Sequence, residues 1–199
     1  MSSFRQLMMR NKGGGTQTLN ATVVGNPTIS DDFIISNFLG TTNYVYTTIS
    51  GLSSSDNWVA QVKVQRTGIM VGTNDVIRFH DGNDNFMGQL GYSYSQVKWW
   101  CWFCSIDKGI ATSYAYSDYN VWYWFRLSYS NGYLTVKLST TGAFEGEEDT
   151  LTYSYVSNYR IIEKLIFGTT MDGEYLVGAI DMKECWFKIN DNIAWQGVI

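Results

Sequence analysis

The sequence predicts an all-β protein, a two-sheet antiparallel β-sandwich of jelly-roll type with a short N-terminal extension. Three observations lead there. About a dozen short runs rich in β-branched and aromatic residues are separated by Gly, Asn, Asp and Ser turn signals. No long helical stripe interrupts them. One stretch, Val121–Gly142 (VWYWFRLSYSNGYLTVKLSTTG), is a hairpin whose register can be checked from the letters alone.

That hairpin is closed by Asn131-Gly132, a pair suited to a turn in which both residues reach positive φ. A two-residue turn pairs Tyr129 with Leu134, Leu127 with Val136 and Phe125 with Leu138, all apolar and on one face. The other face receives Ser128 with Thr135 and Arg126 with Lys137. A slip of one residue would scramble this segregation. One buried and one wetter face is the mark of an antiparallel sandwich.

Composition sets bounds. With 199 residues the chain can form one domain with a real core. The 8 Trp and 14 Tyr favour strands and binding surfaces. A net charge of −4 leaves no electrostatic footprint for nucleic acid. No apolar run reaches the roughly 20 residues of a membrane-spanning helix. Met1–Lys12 has no sustained apolar core of a signal peptide, and three cysteines, an odd number, do not describe a disulfide framework. Synthesis in a reducing cytosol is expected.

In chain order, Met1–Lys12 (MSSFRQLMMRNK) is basic, with Phe4, Leu7 and Met8 at helical spacing and Arg5, Arg10 and Lys12 around them. Gly13-Gly14-Gly15 makes a flexible joint. The domain is expected over residues 16–199, and residues 1–15 read either as a frayed end or as a tether that docks on a partner through Phe4, Arg5, Leu7, Met8 and Arg10. Strands are expected at Thr18–Val24, Thr28–Phe38 and Asn43–Ile49, with Gly51–Asp56 a loop. Asn57–Gln65 alternates, placing Trp58, Ala60, Val62 and Val64 on one face. Gly68–Val71 and Val76–His80 form the next pair, with Ile77 and Phe79 inward. Asp81–Asn85 is a polar turn and Phe86–Tyr94 a glycine-interrupted strand. Val97–Ile106 (VKWWCWFCSI) is apolar on both faces, so it is either covered on both sides or displays aromatics. Ile110–Ser117 precedes the hairpin, and Gly142–Asp149 is an acidic loop leading to a strand at Thr150–Val156. Ser157–Gly168 is expected to form a short helical turn and then a strand. In Leu176–Ile199, Ile180 and Met182 are out of phase with Cys185, Phe187 and Ile189, so a bulge is expected near Lys183–Glu184. Asn190-Asp191-Asn192 reads as a three-residue hairpin loop pairing Ile189 with Ile193 and Phe187 with Trp195.

Three phrases in the C-terminal half, Trp124–Gly142, Leu165–Thr169 (LIFGT) and Gly178–Gly197 (GAIDMKECWFKINDNIAWQG), resemble the concanavalin-A-like lectin/glucanase superfamily. The resemblance is greatest to the laminin-G-like domains of tailed-phage virion proteins. Gly178, Ile180, Asp181, Ile189, Asn190, Trp195 and Gly197 fit the pattern that ends such domains, with Asp191 in place of a turn glycine. Pro27–Phe38 resembles the lead-in strand. The resemblance implies a concanavalin-A-like sandwich on a virion and, since fold does not determine function, leaves the activity open.

Each candidate site has a plain structural alternative. Glucanases of the superfamily carry paired acids on one strand, as hydrolysis requires. The matching stretch here begins with Ala179 where the nucleophile would stand, which implies that the chain is not an enzyme of that kind. Asp181 reads instead as a structural counter-ion for Arg126 or Lys137. Asp81, Asn83, Asp84 and Asn85 offer oxygen ligands of the sort calcium takes, and calcium is the one cofactor the sequence suggests. Phe86 and Tyr92 break the EF-hand pattern, however, and an ordinary polar turn is favoured. The loop with Glu145, Glu147, Glu148 and Asp149 reads as solvated. Cys101 and Cys104 have CxxC spacing, yet on a strand they face opposite sides and read as buried thiols. The aromatic cluster Trp99, Trp100, Trp102, Tyr114 and Tyr116, with Trp122 and Trp124, is the best surface for sugars, whose C–H faces stack on rings. Sheet core is its alternative, and only one parity of the Trp99–Trp102 strand can be exposed.

The resulting expectation is a non-enzymatic, lectin-like domain of a phage virion. It would be made in the host bacterial cytoplasm, be tethered to other virion proteins by its N-terminal segment, form a homo-oligomer, and bind cell-surface or environmental glycans. The alternatives are a structural decoration or fibre protein and a divergent glycan hydrolase.

Overall fold

The computed structural model describes residues 8–10, 16–38, 42–68, 73–93, 98–103, 110–111, 118–144, 150–152, 161–168 and 176–199. The strands are β1 (Met8–Arg10), β2 (Thr16–Thr18), β3 (Thr22–Val24), β4 (Thr28–Ile29), β5 (Ile34–Ser36), β6 (Tyr44–Thr48), β7 (Trp58–Arg66), β8 (Thr73–His80) and β9 (Phe86–Ser93). They continue with β10 (Lys98–Phe103), β11 (Ile110–Ala111), β12 (Trp122–Ser130), β13 (Tyr133–Ser139), β14 (Thr150–Thr152), β15 (Lys164–Phe167), β16 (Gly178–Asp181), β17 (Trp186–Ile189) and β18 (Asn192–Gln196). A 3-10 turn occupies Met182–Glu184, and no α-helix occurs among the described residues.

Two antiparallel sheets form the sandwich. The first has seven strands in the order β11-β10-β9-β8-β15-β6-β3. The second has nine, with β14-β13-β12-β7-β16-β5-β4 along one path. There β17 shares with β16 the edge of β7 opposite β12, and β18 pairs with β17. Strand alternation sends one set of side chains from each sheet into the space between them. Trp58 is its centre, with ring centroids 5.8 Å from Phe79, 5.6 Å from Phe103, 6.0 Å from Tyr129 and 5.5 Å from Phe187. Burial of each such ring stabilises the fold by about 1.5–3 kcal/mol.

The hairpin has the register read from its letters: Tyr129 lies opposite Leu134, Leu127 opposite Val136 and Phe125 opposite Leu138. All six are buried. Asn131 and Gly132 both have positive φ, 51° and 85°, as a two-residue turn matched to sheet twist demands. β7 likewise buries Trp58, Ala60, Val62 and Val64.

Several expectations are corrected. Thr18–Val24 and Thr28–Phe38 are each divided into short strands; in the second, Phe33 N donates to Ser30 O at 2.9 Å and turns the chain. Of the segment Ser157–Gly168, expected to begin with a short helical turn, residues 157–160 lie outside the described residues; residues 161–163 are not helical, and Glu163 N donates to His80 O (2.9 Å) while Glu163 O accepts from Ile49 N (2.8 Å), prolonging the ladder of β15. Met8, read at helical spacing with Phe4 and Leu7, lies together with Arg10 in β1, which pairs with β2 as a separate two-stranded ribbon. The rest of the docking segment, with Phe4, Arg5 and Leu7, lies outside the described residues, as do Gly68–Val71 beyond Gly68 and most of the acidic loop.

The phase change in the C-terminal segment is real, but a 3-10 turn produces it rather than a bulge. Asp181 Oδ1 accepts from Lys183 N (3.1 Å) and Cys185 N donates to Met182 O (3.3 Å), so Met182 and Cys185 both point inward. The last hairpin turns on two residues, Asn190 and Asp191, with φ 46° and 66°, not on three. Ile189 therefore faces Asn192 and Lys188 faces Ile193. A bulge at Ala194 restores the expected Phe187–Trp195 pair.

The glycines that end the domain now have a reason. A Cβ on Gly178 would collide with the Gln65 carbonyl oxygen, and one on Gly197 with that of Met182. Trp195 donates from Nε1 to Asn20 O at 2.7 Å and stacks on Phe167. Thr18 and Ile199 exchange backbone hydrogen bonds of 2.7 and 3.0 Å, joining the two ends of the domain.

Candidate functional site

Trp99, Cys101 and Phe103 of β10 point into the core, as do Leu90, Tyr92, Ile77, Phe79, Leu165 and Phe167 of its neighbours. Alternation therefore sends Trp100 and Trp102 outward. The register then lays a row across the outer face of the first sheet: Trp102, Gln89, Arg78, Ile166 and Tyr46. A second row holds Phe86, His80, Lys164 and Thr48. Trp100 is opposite Gly91.

Phe86 joins these rows. Its ring lies parallel to Trp102, with centroids 5.2 Å apart and 3° between planes. His80 meets it edge-on at 5.9 Å, and the Arg78 guanidinium lies 5.0 Å from its centre. Trp102 and Phe86 are half-buried, whereas Arg78, His80 and Gln89 are buried although they face away from the core. Polar side chains beneath an outward aromatic platform are what sugar binding asks for: rings for C–H faces, amide and ring nitrogens for hydroxyls.

The electrostatics of this face are balanced. Arg78 Nε makes a short charged hydrogen bond to Asp75 Oδ2. Lys164 Nζ contacts Asp84 Oδ1 and Oδ2 at 2.8 and 3.1 Å, and these bonds hold the Asp84 carboxyl below its ordinary range. His80 Nδ1 lies 3.0 Å from Asp84 O. Burial pushes the imidazole pKa down, with Lys164 and Arg78 acting in the same direction against the Asp84 contacts.

The structure sorts the other candidates. Trp99 is not a surface residue: it is fully buried against Tyr92, Tyr123 and Phe125. Tyr114 and Tyr116 lie outside the described residues. Calcium does not fit the Asp81–Asn85 turn. Asp81 Oδ1 accepts from Asn83 N, Asn85 N and Asn85 Nδ2 (3.0, 2.8 and 3.0 Å), and Oδ2 also accepts from Asn85 Nδ2 (3.0 Å). Asp84 is committed to Lys164 and Asn83 is exposed. These carboxylate lone pairs face N–H donors, as in an ordinary Asx turn. Among the described residues no group of three or more His, Cys, Asp or Glu gathers as metal ligands. Cys101 and Cys185 are buried free thiols. Burial raises both, Cys185 to about 12, and Cys185 Sγ donates to Asp181 O at 3.2 Å.

Asp181 pairs with neither Arg126 nor Lys137. Its Oδ2 is 2.9 Å from Lys63 Nζ, because β16 adjoins β7 and not the hairpin. Lys63 in turn lies over the rings of Trp122 (5.0 Å) and Trp124 (4.6 Å) on the outer face of the second sheet. Arg126 is drawn from Lys137 by Gln61 Oε1 (2.8 Å) and by the rings of Phe144 and Trp186. These aromatics are engaged by the protein's own cations. Ala179, beside Gln65, puts a methyl group on this face.

Sequence reading missed Arg78, His80, Gln89 and Phe86. A usable signal was present: with Ile77 and Phe79 inward, residues 78 and 80 must lie on the outer face.

No known family profile matches the sequence, and no curated protein matches it. Solved structures do. The LG1-3 region of the laminin α2 chain superimposes with a TM-score of 0.53 at 11% identity, over 77% of this chain and 32% of that one. The binding domain of botulinum neurotoxin DC in complex with SialylT gives 0.56 at 12% identity, over 94% and 46%. The enzymatically active domain of bacteriophage CBA120 tailspike protein 2 gives 0.51 at 13% identity, over 84% and 27%. The chain thus spans less than half the length of these proteins. At such identities the likeness establishes the fold alone, a two-sheet antiparallel β-sandwich.

Proposed function

We propose that the chain is a non-catalytic glycan-binding domain of a tailed-phage virion and that the outer face of its first sheet is the binding surface. The observation that carries this reading is the Trp102–Phe86 stack, set half-exposed above buried Arg78, His80 and Gln89. The fold supports it: the similar structures include a toxin binding domain in complex with SialylT and a phage tailspike domain. The absence of catalysis rests on Ala179 standing where the resemblance places a nucleophile. Attachment to other virion proteins is assigned to residues 1–15, whose Met8–Arg10 strand forms a ribbon outside the two main sheets.

A glycan array tests the reading. Binding by the intact chain should be lost in Trp102→Ala while circular dichroism and thermal unfolding stay unchanged. A dimer or trimer buried over Trp100 and Trp102, with no glycan bound, would favour a structural virion protein instead. Release of reducing sugar would favour a hydrolase. Deleting residues 1–15 should abolish incorporation into particles and leave array binding intact.

A further inference from the structure

The outer face of the first sheet carries a second aromatic group. One register row runs from Trp102 through Gln89, Arg78 and Ile166 to Tyr46. Trp102 and Phe86 form the platform at one end. At the other end the Tyr46 ring lies 6.3 Å from that of Tyr44, tilted by 38°, with Lys164 Nζ 5.0 Å from its centre. Both tyrosines are half-buried and turn outward, because Val45 and Thr47, their neighbours along β6, are buried on the other face. Their phenol hydroxyls bond to none of the described residues, which leaves two groups able to donate or accept.

The side chains between the platforms lie lower. Gln89, Arg78 and Ile166 also face outward, yet each is only 6–9% exposed. Arg78 is held by its bond to Asp75 and by the Phe86 ring beside it. The row is therefore a floor with rings at both ends, each set one strand in from an edge of the sheet. Four strand steps separate Trp102 from Tyr46, about 19 Å at the usual spacing of ~4.8 Å. A single sugar ring reaches one platform only. An extended glycan advances by roughly one strand step per residue, so about four or five residues join the two. Sheet twist turns one platform relative to the other, and a chain jointed at each glycosidic bond can follow that turn.

We infer that this face takes a linear glycan lying across the strands, at least about four residues long, with one residue stacked on Trp102 and another against Tyr46. The inference rests on the glycan-binding reading and makes Tyr46 a contact that only a chain can use. Once one platform is engaged the second contact is intramolecular, so affinity rises with ligand length.

The probes are cellobiose and cellohexaose, maltose and maltohexaose, chitobiose and chitohexaose, and digalacturonate and hexagalacturonate, each titrated calorimetrically into the full chain. At least one hexamer should bind tenfold or more tighter than its dimer. Tyr46→Ala should bring that hexamer down toward the affinity of the dimer and leave the dimer unchanged, whereas Trp102→Ala should weaken both. Circular dichroism checks folding, and Tyr46→Thr, which keeps a strand-forming residue without the ring, replaces Tyr46→Ala if that variant unfolds. A ratio below ten in every series that binds, or a hexamer indifferent to loss of the Tyr46 ring, overturns the inference and leaves the glycan-binding reading standing. A positive glycan array with no hexamer bound does the same. Failure of every probe to bind, together with a blank array, overturns both.

Discussion

Asp181 holds Lys63 at 2.9 Å while that lysine lies over Trp122 and Trp124. The pair links β16 to β7, and Asp181 also accepts from Lys183 N to start the 3-10 turn. Removing the carboxylate leaves a mostly buried ammonium unpaired. Asp181→Ala should lower stability by about 1–3 kcal/mol, reduced from the cost of breaking a fully buried pair by residual exposure at both ends. Lys63→Met should cost less, since its thioether still packs on the indoles. A double-mutant cycle in urea measures the coupling directly.

Gly197 is required by the nearness of the Met182 carbonyl. Gly197→Ala must displace the 3-10 turn or the C-terminal clamp on Thr18, at about 1–3 kcal/mol. The denaturation midpoint should fall with an unchanged slope.

Asp191 has φ 66° in the last hairpin turn, a conformation glycine adopts without strain. Asp191→Gly should therefore raise stability by about 0.5 kcal/mol, the relief of left-handed strain outweighing the added freedom of the unfolded chain. Thermal unfolding of the two proteins side by side checks the sign.

Acid acts in two stages. The folded protein resists protonating His80, whereas the unfolded chain takes up that proton near the ordinary value of 6.5. Below that value the unfolded state binds more protons, so stability falls as pH falls toward the lowered folded pKa. Asp84 has the same sign at lower pH: its stabilising contribution is present above 3.8 and is lost as pH falls through its depressed folded pKa. Urea midpoints from about pH 8 to about pH 3 should show both limbs. His80→Asn should remove the first, and Asp84→Asn should diminish the second, to which Asp56, held low by hydrogen bonds from Ser53 and Asn190, also contributes.

Cys101 and Cys185 should resist iodoacetamide in the native protein, since the thiolate is suppressed by burial and reagent cannot reach it. Peptide mapping should find both alkylated in denaturant. Native labelling of either would show that the sandwich opens locally.

The sheet framework was legible where alternation and turn chemistry act together. Phe125, Leu127 and Tyr129 announce their partners because Asn131-Gly132 fixes the register between them. The last hairpin was less legible because the same sequence fits a three-residue loop or a two-residue turn with a bulge at Ala194; the Phe187–Trp195 pair is common to both. Ion pairing was misassigned because it depends on sheet order: Asp181 meets Lys63 only because β16 lies beside β7, which no local pattern states. The candidate site was half visible. Trp100 and Trp102 stood out as aromatics, but Trp99 shared their signal until parity placed it inside. His80 and Arg78 looked like isolated polar residues until the register set them beside Phe86.

Hydrogen–deuterium exchange with and without a glycan selected on the array tests the central claim most directly. Binding at the first sheet predicts protection of the peptides covering β9 and β10, with Trp122–Ser130 unchanged. Protection confined to Trp122–Ser130, or none at β9 and β10 in a saturated complex, would contradict it.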